Sequence, residues 1–266
     1  METLAYIASM LIGISLGLIG GGGSILTVPV LVYLFGISPL MSTSYSLFIV
    51  GSTSLVGAYA NFQKGLVRTR TAILFGLSSI STVYLTRKFL LPLIPEHLFQ
   101  IGGISVTVPL LTMVLFAILM IAASVGMIRS KEREPGCLEC NLKGNVIKLL
   151  LSGIGIGFTT GLLGAGGGFL LIPTLVLVLG LPMREAVGTS LLIIALNSLI
   201  GFLGDLGRFS IDWVFLWQVT LIAMSGILIG DWISKRVKVA HLKKGFGWFV
   251  LAMGILIFSH EVFFGN

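Results

Sequence analysis

The chain has 266 residues, of which 56% are hydrophobic and only 10% charged, with a mean hydropathy of +1.07 and a formal net charge of +7. A soluble domain keeps about a quarter of its residues charged to cover its surface, so this composition excludes a water-coated globule and makes lipid the main solvent. The 35 glycines follow no three-residue period, which excludes collagen, and the basic residues sit in short clusters between apolar runs, which excludes a nucleic-acid surface.

In chain order, the first apolar segment covers about 3–19. It lacks the basic start and small-residue cleavage site of a signal peptide and reads as a retained helix. It runs into Gly20, Gly21, Gly22 and Gly23, then Ser24 and a short apolar stretch to 36. Apolar segments follow at about 39–60, 71–94 and 104–128. Cys137 and Cys140 then form a lone CxxC in a polar loop. With no second pair and no nearby histidine, it reads as an incidental thiol pair in a reducing cytosol, the alternative being a redox pair. Further segments lie at about 147–163, 168–181, 186–205, 212–234 and 245–263. A membrane crossing takes about 20 residues. The stretches 24–36 and 168–181 are too short for it, and each follows a glycine cluster, so each is expected to be half of a broken or re-entrant hairpin.

These two places belong to an internal repeat. Gly17-Leu-Ile-Gly-Gly-Gly-Gly-Ser-Ile-Leu-Thr-Val-Pro29 aligns with Gly161-Leu-Leu-Gly-Ala-Gly-Gly-Gly-Phe-Leu-Leu-Ile-Pro173 at a shift of 144 positions. The match continues ungapped through Gly36 and Gly180, Ser46 and Ser190, and Gly57 and Gly201. Apolar composition inflates matches among Leu, Ile and Val; it does not align six glycines and a proline. The expected organisation is a first repeat at 1–130, a cytoplasmic loop at 131–146 and a second repeat at 147–266.

Basic loops at Lys64–Arg70, Arg129–Lys148 and Lys235–Lys244 orient the chain. The positive-inside rule makes all three cytoplasmic, which puts both termini outside. Arg87 and Lys88 fit this scheme poorly and are assigned to snorkelling at the outer end of the fourth segment. Five segments per unit, an odd number, invert the second copy. The fold class expected is an all-α polytopic membrane protein of two inverted-topology repeats, an architecture of secondary transporters whose substrate sites lie near the midplane.

Glycine suits a break inside the bilayer because it accepts positive φ and lets a backbone or ligand come close. Such breaks survive only in protein or around a wet cavity. After each break a new helix is expected to start, near Ser24 and near Gly168, with its free N–H groups and positive dipole end facing the interior. That arrangement favours an anion. Tight helix packing is the plain alternative, as for Gly153, Gly157 and Gly161 at four-residue spacing. Pro29 and Pro173 fall in early turns, where a lost donor costs least. The hydroxyl run Ser42-Thr-Ser-Tyr-Ser46 and the pair Thr189 and Ser190 are candidates to line the site, and Asn197 is a polar outlier within a span. Asn61, Gln63 and Asp205 read as solvated residues near span ends. The candidate substrate-binding residues are therefore Gly20, Gly21, Gly22, Gly23, Ser24, Ser44, Ser46, Gly166, Gly167, Gly168, Thr189, Ser190 and Asn197.

Gly13-Ile-Ser-Leu-Gly17 matches the GxSxG of a hydrolase elbow but lies in an apolar helix, with His97, His241 and His260 near span ends. Gly20–Gly23 has no following Gly-Lys-Ser/Thr and is no P-loop. No catalytic residue, metal or cofactor is expected.

The paired glycine-then-proline motif, the short second helix, the basic middle loop and the length resemble the sulfite exporter TauE/SafE family of membrane permeases. The resemblance runs from about Leu4 to Phe264 and includes Gly-Thr-Ser at Gly188–Ser190; the first copy departs from it with Ser42-Thr-Ser44. The resemblance implies passage of small sulfur-containing or organic anions, such as sulfite or sulfonates, across a prokaryotic cytoplasmic membrane. The expected function is a secondary transporter working by alternating access; a passive anion channel and an intramembrane enzyme are the alternatives. Expected partners are the lipid bilayer and a small anionic substrate, with a homodimer as an option and no nucleic acid.

Overall fold

The computed structural model describes residues 2–93, 97–101, 104–129, 142–164, 167–177, 179–207, 210–234, 236, 245, 247–248 and 251–259. Helix α1 (Glu2–Ile19) ends at Gly20, whose φ is +73°. The chain then makes a 3-10 turn over Gly21–Leu26, the single α-turn α2 (Thr27–Pro29) and a π-helical turn over Val30–Leu34. Helix α3 (Pro39–Gln63) starts with proline at N1, where a missing N–H costs nothing. Helix α4 (Thr69–Leu85) runs through a π-helical turn, Thr86–Leu90, into α5 (Leu91–Leu93).

Two short strands, β1 (His97–Ile101) and β2 (Ile104–Thr107), then pair antiparallel. The sequence reading placed residues 104–107 in a helix. Ile, Val and Thr favour extended structure, and Pro109, tolerated in a first helical turn, marks the start of α6 (Val108–Arg129). The second half comprises α7 (Leu142–Leu163), α8 (Gly168–Leu177), α9 (Met183–Asp205) and α10 (Trp213–Ser234), with a last helical stretch at 251–259. Of the described helices, α9 and α10 are by length and composition apolar enough to cross a membrane. The loop cysteines Cys137 and Cys140 lie outside the described residues.

Glycine faces set the helix contacts. A Cβ at Gly13 would overlap the Ala223 backbone, and one at Gly17 the backbone around Ile227 and Gly230, so α1 lies directly on α10 and parallel to it. In the other half, a Cβ at Gly157 would meet Ser79 and Thr82, and one at Gly161 would meet Thr86, so α7 lies on α4 in the same way. Ala223 and Ser79 stand 144 positions apart, as do Gly230 and Thr86. Between the halves, Gly57 faces Leu191 and Ile227, while Gly201 faces Leu47 and Val83, again at that offset. The contacts of Gly51 and Gly57 on α9 show that α3 and α9 run antiparallel. Such small-residue seams let helices approach closely where lipid gives no hydrophobic drive for association.

Large apolar side chains cover the outside: Tyr59, Ile73, Leu77, Leu151, Val214 and Leu221 are all exposed. In water such a surface invites aggregation; against acyl chains it is the expected finish. Hydroxyls fill much of the inside, with Ser24, Thr27, Ser46, Thr53, Ser54, Thr160, Ser190 and Ser198 all buried.

Candidate functional site

The two glycine segments meet. A Cβ on Gly21 would overlap the backbone of Gly168 and the tip of Ile194, and a Cβ on Gly168 would overlap the Gly21 carbonyl. Ile194 is the middle residue of α9, so the crossing sits halfway along that helix. The segments arrive from different directions. Gly20 rests on Val187 and the Ser190 hydroxyl, towards the start of α9. Gly164, at φ +65°, rests on Thr43 and Arg87, towards its end. Positive φ at Gly20, Gly164 and Gly167 is a conformation that side chains other than glycine resist.

Helix α8 begins at Gly168, where the sequence placed it. The other expected helix start, near Ser24, is also present as the apolar helix Gly23–Leu34, but it opens with a 3-10 turn in which the Ser24 hydroxyl donates to the Gly21 carbonyl at 2.7 Å. A helix therefore follows each glycine segment, regular α behind the second and mixed 3-10, α and π behind the first. Pro173 also sits inside α8 and not at its entry.

The remaining predicted residues divide into three groups. Gly20, Gly21, Gly23, Ser24, Gly167, Gly168 and Ser190 are buried at or beside the crossing; Gly22 lies between them in the chain, and Gly166 is outside the described residues. Ser46 is buried with no hydrogen-bond partner for its hydroxyl among the described residues. Asn197 is also buried, and its Nδ2 donates to Ser79 Oγ of α4 at 2.6 Å. Ser44 and Thr189 go to opposite ends of α3 and α9. Thr189 Oγ1 accepts from the Arg68 N–H at 3.0 Å, whereas Ser44 joins a buried ion pair.

That ion pair is the largest departure from the sequence reading. Arg87 Nη1 lies 2.7 Å from Asp205 Oδ2, and both side chains are 0% exposed. Ser44 Oγ donates to the same oxygen at 2.5 Å, and Arg87 Nη1 also donates to Thr43 Oγ1 at 3.2 Å. Arg87 does not snorkel, and Asp205 is not a solvated span end. The π-helical turn Thr86–Leu90 carries the arginine, and such turns insert one residue into a helix and re-aim its side chains. Lys88, next to it, stays outside and donates to the Tyr84 hydroxyl. The hydroxyl run of α3 is thereby largely committed: Ser42 donates to the Ile37 carbonyl, Thr43 and Ser44 serve the ion pair, and the Tyr45 hydroxyl accepts from the Asp212 N–H.

At the other end of α3 the pairs are partly open to solvent. Lys64 bonds Asp231 at 2.6 Å, with the two side chains 33% and 20% exposed, and Arg68 bonds Glu185 at 2.6 Å. Asp231 is thereby held by Lys64.

Sequence reasoning passed over Thr53, Ser54, Thr160 and Ser198. Their hydroxyls are buried without hydrogen-bond partners among the described residues, as is Asn197 Oδ1. On α3, Ser46, Thr53 and Ser54 recur at i, i+7 and i+8, the spacing of one helix face; on α9 so do Ser190, Asn197 and Ser198. The two triplets are related by the same 144-residue shift, a signal that the repeat already contained.

A membrane-embedded helical bundle whose interruptions meet at a polar interior has the architecture of a membrane transporter. The chain belongs to the sulfite exporter TauE/SafE family, whose model matches residues 5–257. It is 27% identical over 250 residues to a probable membrane transporter protein of Xylella fastidiosa (strain 9a5c), covering 93% of this chain and 91% of the relative. It is 26% identical over 230 residues to the probable membrane transporter protein YdhB of Bacillus subtilis, covering 85% and 88%. A probable membrane transporter protein of Methanocaldococcus jannaschii, MJ0441, is 24% identical over 258 residues, covering 90% and 89%. No solved structure matches the chain.

Proposed function

We propose that this membrane transporter is a secondary carrier of small sulfur-containing or organic anions, sulfite and sulfonates among them. In this reading the two halves are inverted repeats that rock against one another around an anion held where the broken helices cross. The observation that carries it is the direct backbone contact of Gly21 with Gly168 at the middle of α9. A crossing of bare peptide groups leaves N–H donors close to any ligand, and the α8 dipole adds positive potential on one side. Buried hydroxyls at Ser46, Thr53 and Thr160 supply further donors. The sulfur chemistry of the substrate comes from the family.

The inverted arrangement is supported by the antiparallel run of α3 and α9 and by contacts that recur at the 144-residue offset. With the Lys64 and Arg68 end facing the cytoplasm of a prokaryotic cell, as the basic loops favour, the start of α1 falls outside.

The test is counterflow in proteoliposomes loaded with sulfite, thiosulfate or methanesulfonate. A carrier accelerates labelled uptake against a load of the same anion and saturates. Current without exchange favours a channel on the same scaffold, and the absence of both sinks the transport reading for these anions.

A further inference from the structure

We propose that Tyr45 and Thr189 are equivalent positioning residues of the transport cycle, each holding one gate of the carrier shut from the opposite half. The proposal rests on the transport reading above and adds to it the contacts that a change of access must break.

The two bonds are copies of one another. At one end the Arg68 N–H, at the entry to α4, donates to Thr189 Oγ1 on α9 at 3.0 Å. At the other the Asp212 N–H, just before α10, donates to the Tyr45 hydroxyl on α3 at 2.8 Å. Arg68 and Asp212 stand 144 positions apart, and so do Tyr45 and Thr189. The neighbouring contacts repeat as well. The Leu66 carbonyl and Asn61 Cβ lie where a side chain at Gly188 would stand. Ser44, the counterpart of Gly188, bonds Asp205, the counterpart of Asn61. Both bonds join the first half to the second, at opposite ends of the antiparallel pair α3 and α9.

Their setting suits a contact that opens and closes. Tyr45 and Thr189 are 2% and 0% exposed, while Arg68 and Asp212 are exposed. Each bond therefore runs from a surface N–H to a buried hydroxyl and seals the interior from water. When it parts, water takes over both groups, so neither is left unsatisfied and the net cost stays small. Ion pairs back both latches, Arg68 with Glu185 at one end and Arg87 with Asp205 at the other.

The crossing of Gly21 and Gly168 lies between the two bonds, halfway along α9. A rotation about it that parts one end presses the other together, so the latches open in turn. Each is a single neutral hydrogen bond, and its loss shifts a two-state equilibrium by about threefold to tenfold.

The experiment is sided cysteine labelling of the full-length chain with Cys137 and Cys140 replaced by serine. The reporters are Ser190→Cys, beside Gly20, and its counterpart Ser46→Cys. A membrane-impermeant maleimide is applied to whole cells or to inverted vesicles. Thr189→Val and Tyr45→Phe remove the hydroxyls and keep the shape, and Tyr45→Phe also keeps the ring contact with Phe215. Thr189→Val is expected to speed labelling of the Ser190 reporter from the cytoplasmic face about threefold to tenfold. Tyr45→Phe is expected to speed that of the Ser46 reporter from the outer face by a similar factor. Thr189→Ser, which restores the hydroxyl, is expected to label at the wild-type rate. Acceleration from the same face in both variants, or in neither variant, overturns the proposal, as does a Thr189→Ser variant that labels like Thr189→Val. Opposite-face acceleration with no counterflow of sulfite, thiosulfate or methanesulfonate in the wild type supports the latches while overturning the anion reading on which transport rests.

Discussion

Arg87 and Asp231 stand 144 positions apart and occupy corresponding places in the two halves, yet they carry opposite charges. Each forms an ion pair at its own end of the bundle, Arg87 with Asp205 beside the start of α3 and Asp231 with Lys64 at its end. The repeat has therefore kept positions while dividing the chemistry. One end closes on a fully buried pair, and the other on pairs that water reaches.

This difference makes the two ends unequal in energy. Replacing Arg87 by Met leaves the Asp205 carboxylate buried without its charge partner, which costs about 3–5 kcal/mol. The double variant Arg87→Met/Asp205→Leu is expected to recover most of that loss. Thermal unfolding in detergent, run as a double-mutant cycle, measures both values.

At the other end, Lys64→Met is expected to cost no more than about 1 kcal/mol, because the pair is partly exposed and screened. The effect should shrink further in high salt. A loss comparable to that of Arg87→Met contradicts the assignment of this end as the weaker closure.

The crossing gives a steric prediction. Gly21→Ala and Gly168→Ala each place a methyl group on the opposing backbone, which cannot move aside as a flexible side chain can. Each is expected to cost about 1–3 kcal/mol and to reduce counterflow at least tenfold. Gly155→Ala is the control: it lies in α7 with nothing within 4 Å of the added carbon, so the better helix former should be neutral or stabilising by up to about 1 kcal/mol.

Asn197 separates structure from transport. Asn197→Ala removes the bond to Ser79 Oγ and is expected to cost about 0.6–1.7 kcal/mol, the range of such interhelical bonds in membranes. If Asn197 Oδ1 lines the anion path, its loss also changes the concentration at which counterflow saturates. An unchanged saturation point assigns Asn197 to packing alone.

Much of this was legible in the residues. The glycines and prolines at a 144-residue shift located the crossing segments, because only glycine accommodates the close backbone approach at Gly21 and the positive φ at Gly20 and Gly164. The buried ion pair was not legible in the same way. Arg87 and Asp205 are 118 positions apart, each near the end of an apolar segment, where hydropathy reads a charge as solvated. Arg87 is carried by the π-helical turn at Thr86–Leu90, and a local backbone shift of that kind has no periodic signature. The start of the first short helix near Ser24 was legible as well, since an apolar helix runs over Gly23–Leu34; its opening 3-10 turn, in which the Ser24 hydroxyl turns back to Gly21, was not.

A crossing built from Gly21 and Gly168 has no side chain of its own, so it cannot distinguish one anion from another by shape. If the anion binds there, as proposed, discrimination falls to the neighbours, Ile194 and Ser190 on α9 and Thr160 against Gly167. In that reading recognition and mechanics are housed in separate residues. A carrier of this design can be redirected to a bulkier or more polar cargo by altering that small ring, with the hinge of bare peptide left as it is.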